Sequence, residues 1–245
     1  MRLAVIADVH GNLAALEAVL QDAERRGAEE IWCAGDLVGY LPFPSEVVAE
    51  LGRRGLPTVL GNYDDAVALR RIQCGCDFPD QRSFELGQIS LTWTVQHLAE
   101  EARSFLMQLP REYRREIGGR RVLMVHGSPR RLNEYLWEDF PEEELARMLE
   151  EAECDLLLCG HTHLPYHRSL SVGERSWDVV NAGSAGKPKH GCPEATYALL
   201  EIPAERTKPL AVEFPLVSYD VEATASAVVA AGLPEEFARM IRTGR

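Results

Sequence analysis

The chain has 245 residues, 46% of them hydrophobic and 26% charged, with a formal net charge of −12. That supplies a full core without disulfides or structural metals, so neither a small stapled scaffold nor a disordered chain is expected. The acidic balance argues against nucleic acid or an anionic membrane as partner, yet it leaves room for an anionic substrate wherever bound divalent cations reverse the local sign.

Residues 2–7 form an apolar run with no basic and then apolar leader before it, so no signal peptide is expected. The run reads as a buried strand and ends in Asp8-Val9-His10. A helix follows from Asn12 to about Arg26, with Leu13, Leu16, Val19 and Leu20 on one face and Gly27 as its stop. A second strand, Ile31–Ala34, leads to Gly35-Asp36; a second helix begins at Pro44-Ser45 and stops near Gly52. A third strand, Thr58–Leu60, leads to Gly61-Asn62. This strand–helix alternation implies a parallel sheet with right-handed crossovers.

Residues 64–110 interrupt the rhythm with a short helix, a loop holding Cys74, Gly75 and Pro79, and a long helical stretch over Ser83–Leu109. The segment is expected to be a helical cap beside the site, within a single domain spanning 1–245. Strand Val122–Val125 then leads to His126-Gly127, and after a helix near Pro141–Glu151, strand Leu156–Cys159 leads to Gly160-His161-Thr162-His163. Strands at Tyr166–Ser171, Trp177–Asn181, Thr196–Glu201 and Leu210–Leu216 come with little helix between them, which suggests a second, more antiparallel sheet packed on the first. The C-terminus is helical over Val221–Ala231 and Pro234–Ile241. No apolar run approaches the ~20 residues of a membrane span. The six cysteines show no paired zinc spacing; Cys33 and Cys159 read as buried apolar residues, and Cys74-Gly75-Cys76 as a loop with two reduced thiols in a cytoplasmic protein.

Taken singly, an Asp-x-His, a Gly-Asp or an isolated His carries little information. Together the five motifs differ, because each directly follows a strand-like run, and ligands in layered α/β folds bind beyond the carboxyl ends of strands. One edge of the fold would thus gather Asp8, His10, Asp36, Asn62, His126, His161 and His163. Two carboxylates, one amide and four imidazoles are too many for one ion and suit two that share a carboxylate. His161 and His163 converge on one spot only if the backbone turns, which Gly160 would permit. His97, His167 and His190 lack such a context.

In this order the motifs closely resemble the calcineurin-like metallophosphoesterase family: Asp8-Val9-His10, Gly35-Asp36, Gly61-Asn62-Tyr63-Asp64, His126 and Gly160-His161-Thr162-His163. GDLVGYLPFPSEVV, GNYDDAV, VHGSP and VVNAGSAGKPK extend the likeness to a small bacterial and archaeal branch. The resemblance implies an α/β fold, a two-sheet β-sandwich flanked by helices in four layers. It also implies two divalent transition-metal ions, manganese foremost, with iron, zinc, cobalt or nickel also suited. One ion would bind Asp8, His10, Asp36 and His163; the other would bind the bridging Asp36 with Asn62, His126 and His161. Asp36, Asn62 and Asp64 would serve catalysis, Asp64 by orienting a ligand or Tyr63. Asn12, Tyr63 and Lys189 are candidate substrate contacts, with helix capping the alternative for Asn12 and a solvated surface position the alternative for Lys189.

Tyr63 stands where better-known members carry the His that protonates the leaving alkoxide, and a phenol of pKa about 10 is a poorer acid. The implied activity is in-line attack of a metal-bridging hydroxide on a phosphodiester or phosphoanhydride of nucleotide type. The alternatives are a non-catalytic interaction scaffold on the same fold, or a phosphomonoesterase acting on proteins or small molecules. A small phosphorylated partner is expected, with no membrane and no stable nucleic-acid complex; the oligomeric state stays open, a homo-oligomer included.

Overall fold

The computed structural model describes every residue except Glu174. Strand β1 (Arg2–Ile6) lies parallel to β2 (Glu30–Cys33), with helix α1 (Leu13–Arg25) as the crossover. Alternation along β1 sets the layering. Leu3 and Val5 face one way and meet Val122 and Met124 of β4 (Arg120–Val125) and Leu156 and Leu158 of β5 (Leu156–Cys159). Ala4 and Ile6 face the other way, onto Leu16, Val19 and Leu20 of α1 and Val47, Val48 and Leu51 of α2 (Pro44–Arg54). β5 repeats the arrangement: its other face packs Leu157 and Cys159 against Leu145, Met148 and Leu149 of α6 (Glu142–Glu151). The period of two along each strand therefore yields four layers, helix–sheet–sheet–helix.

Helices α3 (Asn62–Ala68), α4 (Gln81–His97) and α5 (Glu100–Leu106) occupy the 64–110 region. The expected single helix over 83–109 is two, because Leu98 and Ala99 are extended (ψ 127° and 147°). The break turns α5 onto α2, where a Cβ on Gly52 would come within 3.3 Å of the Phe105 ring.

Strands β3 (Glu112–Ile117), β4, β5, β6 (Pro165–Val172) and β7 (Arg175–Ala182) form a five-stranded sheet in the order β3-β4-β5-β7-β6. β8 (Ala195–Thr196) pairs with β11 (Leu216–Val217) in a short ribbon, and the other sheet runs β10-β9-β1-β2, with β9 at Ala198–Glu201 and β10 at Ala211–Glu213. This corrects the sequence-based grouping of the last strands. β6 and β7 join β4 and β5, and β4, β5 and β7 are mutually parallel; β9 instead returns antiparallel to the free side of β1. Thr58–Leu60 is no strand either: it makes a single parallel bridge, Cys33 to Thr58, and Leu60 N then donates to Pro110 O at 2.8 Å. Edge strand β3 went unanticipated, since only Ile117 of its six residues is buried and a mostly exposed, charged edge carries no apolar run. Helices α7 (Val221–Ala230) and α8 (Glu235–Thr243) close the chain.

Candidate metal centre

The loops that leave β1, β2, β4 and β5 meet at one edge of the sandwich. Asp8 N donates to Gly35 O and His10 N to Asp36 O, both at 3.0 Å, so the first two loops extend the ladder of their strands. Gly160 N donates to His126 O at 2.9 Å and His161 N to Asp8 Oδ2 at 2.9 Å, which ties the two sheets together at Asp8. The backbone is held in an unfavourable region here: Asp8, His10, Asp36, His161 and His163 all have φ between 49° and 68°. Left-handed non-glycine residues are uncommon, and a run of them at one place marks a functional constraint imposed by the surrounding structure. Gly160 is thus not the turning residue; His161 and His163 turn themselves. A Cβ on Gly160 would stand 2.7 Å from both Ala7 Cβ and Asp8 Oδ2, so its glycine allows close approach of the strands instead.

Two groups of buried side chains result. Asp8, His10 and His163 form one and Asp36, His126 and His161 the other, each with one nitrogen or oxygen per residue lying within 4.8 Å of the rest. The groups adjoin through Asp36, whose Oδ2 is 3.7 Å from His10 Nε2 and 3.4 Å from His126 Nε2 while Oδ1 accepts from Tyr63 N at 2.8 Å. Asn62 Oδ1 lies 2.9 Å from His126 Nε2. All seven residues singled out in the sequence are therefore brought together.

The imidazoles are oriented from behind. Nδ1 of His10 faces Val38 O at 3.0 Å, that of His126 Ala34 O at 2.8 Å, and that of His163 Lys187 O at 2.5 Å. A carbonyl can only accept, so each Nδ1 carries a proton; Nε2 of His10 and of His163 aims a lone pair into the site, whereas Nε2 of His126 faces the acceptors Asn62 Oδ1 and Asp36 Oδ2 and has to give up a proton before it can serve as a donor to a metal. Among the described residues, Asp8 Oδ1 and His161 Nε2 are buried with no hydrogen-bond partner. Burying polar atoms without partners costs free energy, and a cation among these lone pairs removes that cost. The donor set fits divalent transition metals.

Charge follows the same logic. Burial pushes His10 down to about 4, His161 to about 3 and His163 well below the ordinary imidazole range, so these rings are neutral donors at neutral pH. Burial also disfavours the charged form of His126, but Asp36 outweighs it and lifts His126 to about 9. Asp36 is held at about 2, since His126 overrides the effect of burial; burial raises Asp8 to about 7.

The remaining candidates separate. Asp64 is fully buried, and its carboxylate accepts from the backbone N–H groups of Asp36 (2.9 Å), Leu37 (2.8 Å), Val38 (3.3 Å) and Gly61 (3.0 Å). Its oxygens clamp the Gly35-Asp36 loop to the Gly61-Asn62 loop and leave nothing for a substrate, so Asp64 is a positioning residue. Asn12 is likewise used up. Its Oδ1 caps α1 through Ala15 N, and its Nδ2 donates to Gly186 O and to the Tyr219 hydroxyl. It is no substrate contact.

Tyr63 and Lys189 line a cavity of about 330 Å³ that opens from His10, Asp36, His161 and His163. The Tyr63 ring stands edge-on to His10 with centroids 5.4 Å apart, and its hydroxyl is directed to Gly87 O at 3.4 Å. Tyr40, Cys76, Phe78, Tyr135 and Lys187 share the lining. Lys187 is buried with its ammonium 4.4 Å from the centre of the Tyr40 ring, and burial lowers it to about 7. The sequence offered one clue to it: the chain has only three lysines, and two of them stand in Lys187-Pro188-Lys189. Outside the cluster, His97 stacks on Trp93 and His167 pairs with Asp178 at 2.8 Å.

Residues 1–205 match the family model described as the calcineurin-like phosphoesterase superfamily domain. The chain is 30% identical to an uncharacterized protein of Methanocaldococcus jannaschii, covering 99% of this chain and 98% of that one. Among solved structures it is similar to a metallophosphoesterase from Sphaerobacter thermophilus, at 31% identity and a TM-score of 0.76, with 100% of this chain and 99% of that one covered. It is also similar to a hypothetical protein from Pyrococcus horikoshii, at 27% identity and a TM-score of 0.80, with coverage of 100% and 98%. With the family motifs converging at one edge of a helix-flanked double sheet, the chain belongs to the calcineurin-like phosphoesterases, and it is a metal-dependent phosphoester hydrolase.

Proposed function

We propose that the protein holds two divalent ions and hydrolyses a phosphodiester or phosphoanhydride of nucleotide type. The observation that carries this reading is Asp36 Oδ2, set between His10 Nε2 and His126 Nε2 at the seam of the two groups. Asp8, His10, Asp36 and His163 hold one ion; Asp36, Asn62, His126 and His161 hold the other. Manganese is the first choice, with iron, zinc, cobalt and nickel also suited to these donors. When bound, the pair supplies Lewis-acid activation of the phosphoryl group and of the attacking water.

The chain's own residues do the rest. Two carboxylates leave the bound ions an excess of positive charge, and Lys187 and Lys189 add to it on the cavity wall, which favours an anionic substrate. Tyr40, Tyr63, Phe78 and Tyr135 give that wall an aromatic character suited to a nucleoside. Burial holds the Tyr63 phenol well above its ordinary range, so it is a poor acid at this position, which favours a nucleotide or phosphate leaving group over a simple alkoxide. Residues 64–110 act as a cap within a single domain: Cys76, Phe78, Ser83 and Leu86 line the same cavity as the ligands. None of the described helices is long and apolar enough to cross a membrane. All six cysteines are unpaired, which suits a reducing, cytoplasmic setting.

The test is metal analysis after reconstitution, together with turnover of bis-p-nitrophenyl phosphate, p-nitrophenyl phosphate, nucleotides and dinucleoside polyphosphates. Two ions per chain with preference for diesters or anhydrides is the expected result. Full metal occupancy without turnover would favour the interaction-scaffold alternative, and one ion per chain would sink the dinuclear reading.

A further inference from the structure

The Cys74-Gly75-Cys76 turn is unused by the chemistry above, yet it touches a ligand. Gly75 has φ +75°, and its carbonyl accepts from Asn133 Nδ2 at 2.7 Å, so the turn is folded tightly and pinned from outside. The two sulfurs are thereby brought into direct contact, and Cys76 lines the same cavity as His10 and Asp36. Asn62 Nδ2 donates to both ends of the turn, to Cys74 O at 3.1 Å and to Cys76 Sγ at 3.1 Å. These bonds fix the amide so that Oδ1 points to His126. The other four cysteines take no part in this arrangement.

We propose that Cys74 and Cys76 are a redox-active dithiol that sets the orientation of Asn62, and that closing them to a disulfide weakens metal binding at the Asp36–Asn62–His126–His161 group. The coupling to metal rests on the ligand assignment above. Cys76 is the less buried of the two thiols and lines the cavity, so a hydroperoxide entering there reaches the pair. Whichever sulfur is present as the thiolate attacks the peroxide, the O–O bond breaks, and a sulfenic acid forms with release of water or an alcohol. The other thiol then attacks that sulfur and displaces water, so that two thiols have lost two electrons and two protons to the peroxide. A disulfide requires sulfurs about 2.05 Å apart and a dihedral near 90°. Closing the bond takes the Cys76 thiol away from Asn62 Nδ2, so Asn62 loses the sulfur contact that holds its amide. An i,i+2 bond of this kind is labile to reduction, as suits a regulatory bond more than a structural one.

The experiment treats the reduced, Mn-loaded protein with a small excess of hydrogen peroxide, then counts thiols by alkylation and mass, and measures Mn affinity before and after dithiothreitol. We expect loss of two of the six thiols, a Cys74–Cys76 crosslink in the peptide map, and Mn affinity at one site lowered about 10–100-fold, the usual cost of removing a ligand's orienting partner. All of it should reverse on reduction. Cys74→Ser keeps the backbone carbonyl that holds Asn62 but cannot close the bond, so peroxide should give no crosslink and a smaller loss of Mn affinity than in the native protein; an equal loss would assign the effect to oxidation of Cys76 alone and overturn the role of the disulfide. Two alkylatable thiols remaining at Cys74 and Cys76, or a disulfide that leaves Mn affinity unchanged, would overturn the proposal. A reduced protein that holds no ion would instead sink the metal reading, and with it the coupling, while the thiol count would still decide whether the bond forms.

Discussion

His10 and His163 face each other through their Nε2 atoms, 3.3 Å apart, with their rings stacked at an interplanar angle of 21°. Both Nδ1 atoms are committed to backbone carbonyls, so neither Nε2 has a proton to share and the two lone pairs oppose one another. Asp8 Oδ1, 3.4 Å from His163 Nε2, adds a third unpartnered electron pair. The fold holds this arrangement rigidly, with both histidines in left-handed backbone conformations. Folding thus supplies the work of bringing like donors together, and a cation recovers it on binding.

Asp36→Asn should be the most damaging exchange among the ligands. Its Oδ2 serves both groups, whereas its Oδ1 can still accept from Tyr63 N in the variant, so the fold should persist. Metal affinity should fall at both sites by more than the about 10–100-fold typical of losing an outer partner of a ligand. Elemental analysis alongside circular dichroism checks it; a folded variant with full occupancy would refute the bridging role.

Metal binding should release protons, and should therefore weaken as the pH falls. Without metal, His126 at about 9 is protonated at pH 7 and has to lose that proton to become a ligand. Asp8, at about 7, adds a second below neutrality, whereas His10 and His161, at about 4 and 3, contribute none near pH 7. The logarithm of affinity should rise with pH by about one per unit between pH 7 and 9 and more steeply below 7. Calorimetry in buffers of differing ionisation enthalpy counts the protons directly; no release at pH 8 would contradict the His126–Asp36 pairing.

The ligands were legible because each follows an apolar run, and four of the five runs are strands whose ends meet at one edge; the fifth, Thr58–Leu60 before Asn62, makes only a single bridge. What the sequence hid was direction. Gly61-Asn62-Tyr63-Asp64 has the right spacing for ligand and catalyst alike, yet Asp64 points backward into four N–H groups and Tyr63 toward Gly87. Sheet membership was hidden too, because strand order along the chain does not say which free edge a strand returns to; β9 found β1 across the whole fold. Lys187 escaped notice because a lysine in a Gly-Lys-Pro-Lys loop reads as solvated, whereas the 184–187 segment is tied down through Ser184 Oγ to Asp8 O and Lys187 N to Ser184 Oγ.

Lys187→Met should weaken anion binding with little change in metal content. Its ammonium lines the cavity over Tyr40, and charge-assisted hydrogen bonds are worth ~1.5–3 kcal/mol, so the inhibition constant of inorganic phosphate should rise about 10–100-fold. Because burial lowers Lys187 to about 7, its positive charge is present below that pH and lost above it. Phosphate inhibition of the native enzyme should accordingly weaken between pH 7 and 9 more steeply than that of the variant. Parallel pH profiles would exclude Lys187 from the anion site.

Tyr63 separates two accounts of leaving-group chemistry. Its hydroxyl is directed to Gly87 O, and burial holds it well above the ordinary phenol range, so it is a poor proton donor to a departing oxygen. Tyr63→Phe should then leave kcat/KM nearly level across esters of graded leaving-group pKa. Tyr63→His introduces an imidazole on the cavity wall beside His10, and a well-placed general acid contributes about 10²–10⁴-fold. The gain should be confined to poor leaving groups such as alkyl esters, because nitrophenyl esters and anhydrides depart without protonation. Metal content should stay unchanged, since the Tyr63 ring stands edge-on to His10 and its hydroxyl is directed toward Gly87 O, away from both ligand groups. A selective loss on alkyl esters in Tyr63→Phe would mean that the phenol does donate its proton, and the preference for nucleotide-type leaving groups would then lose its basis.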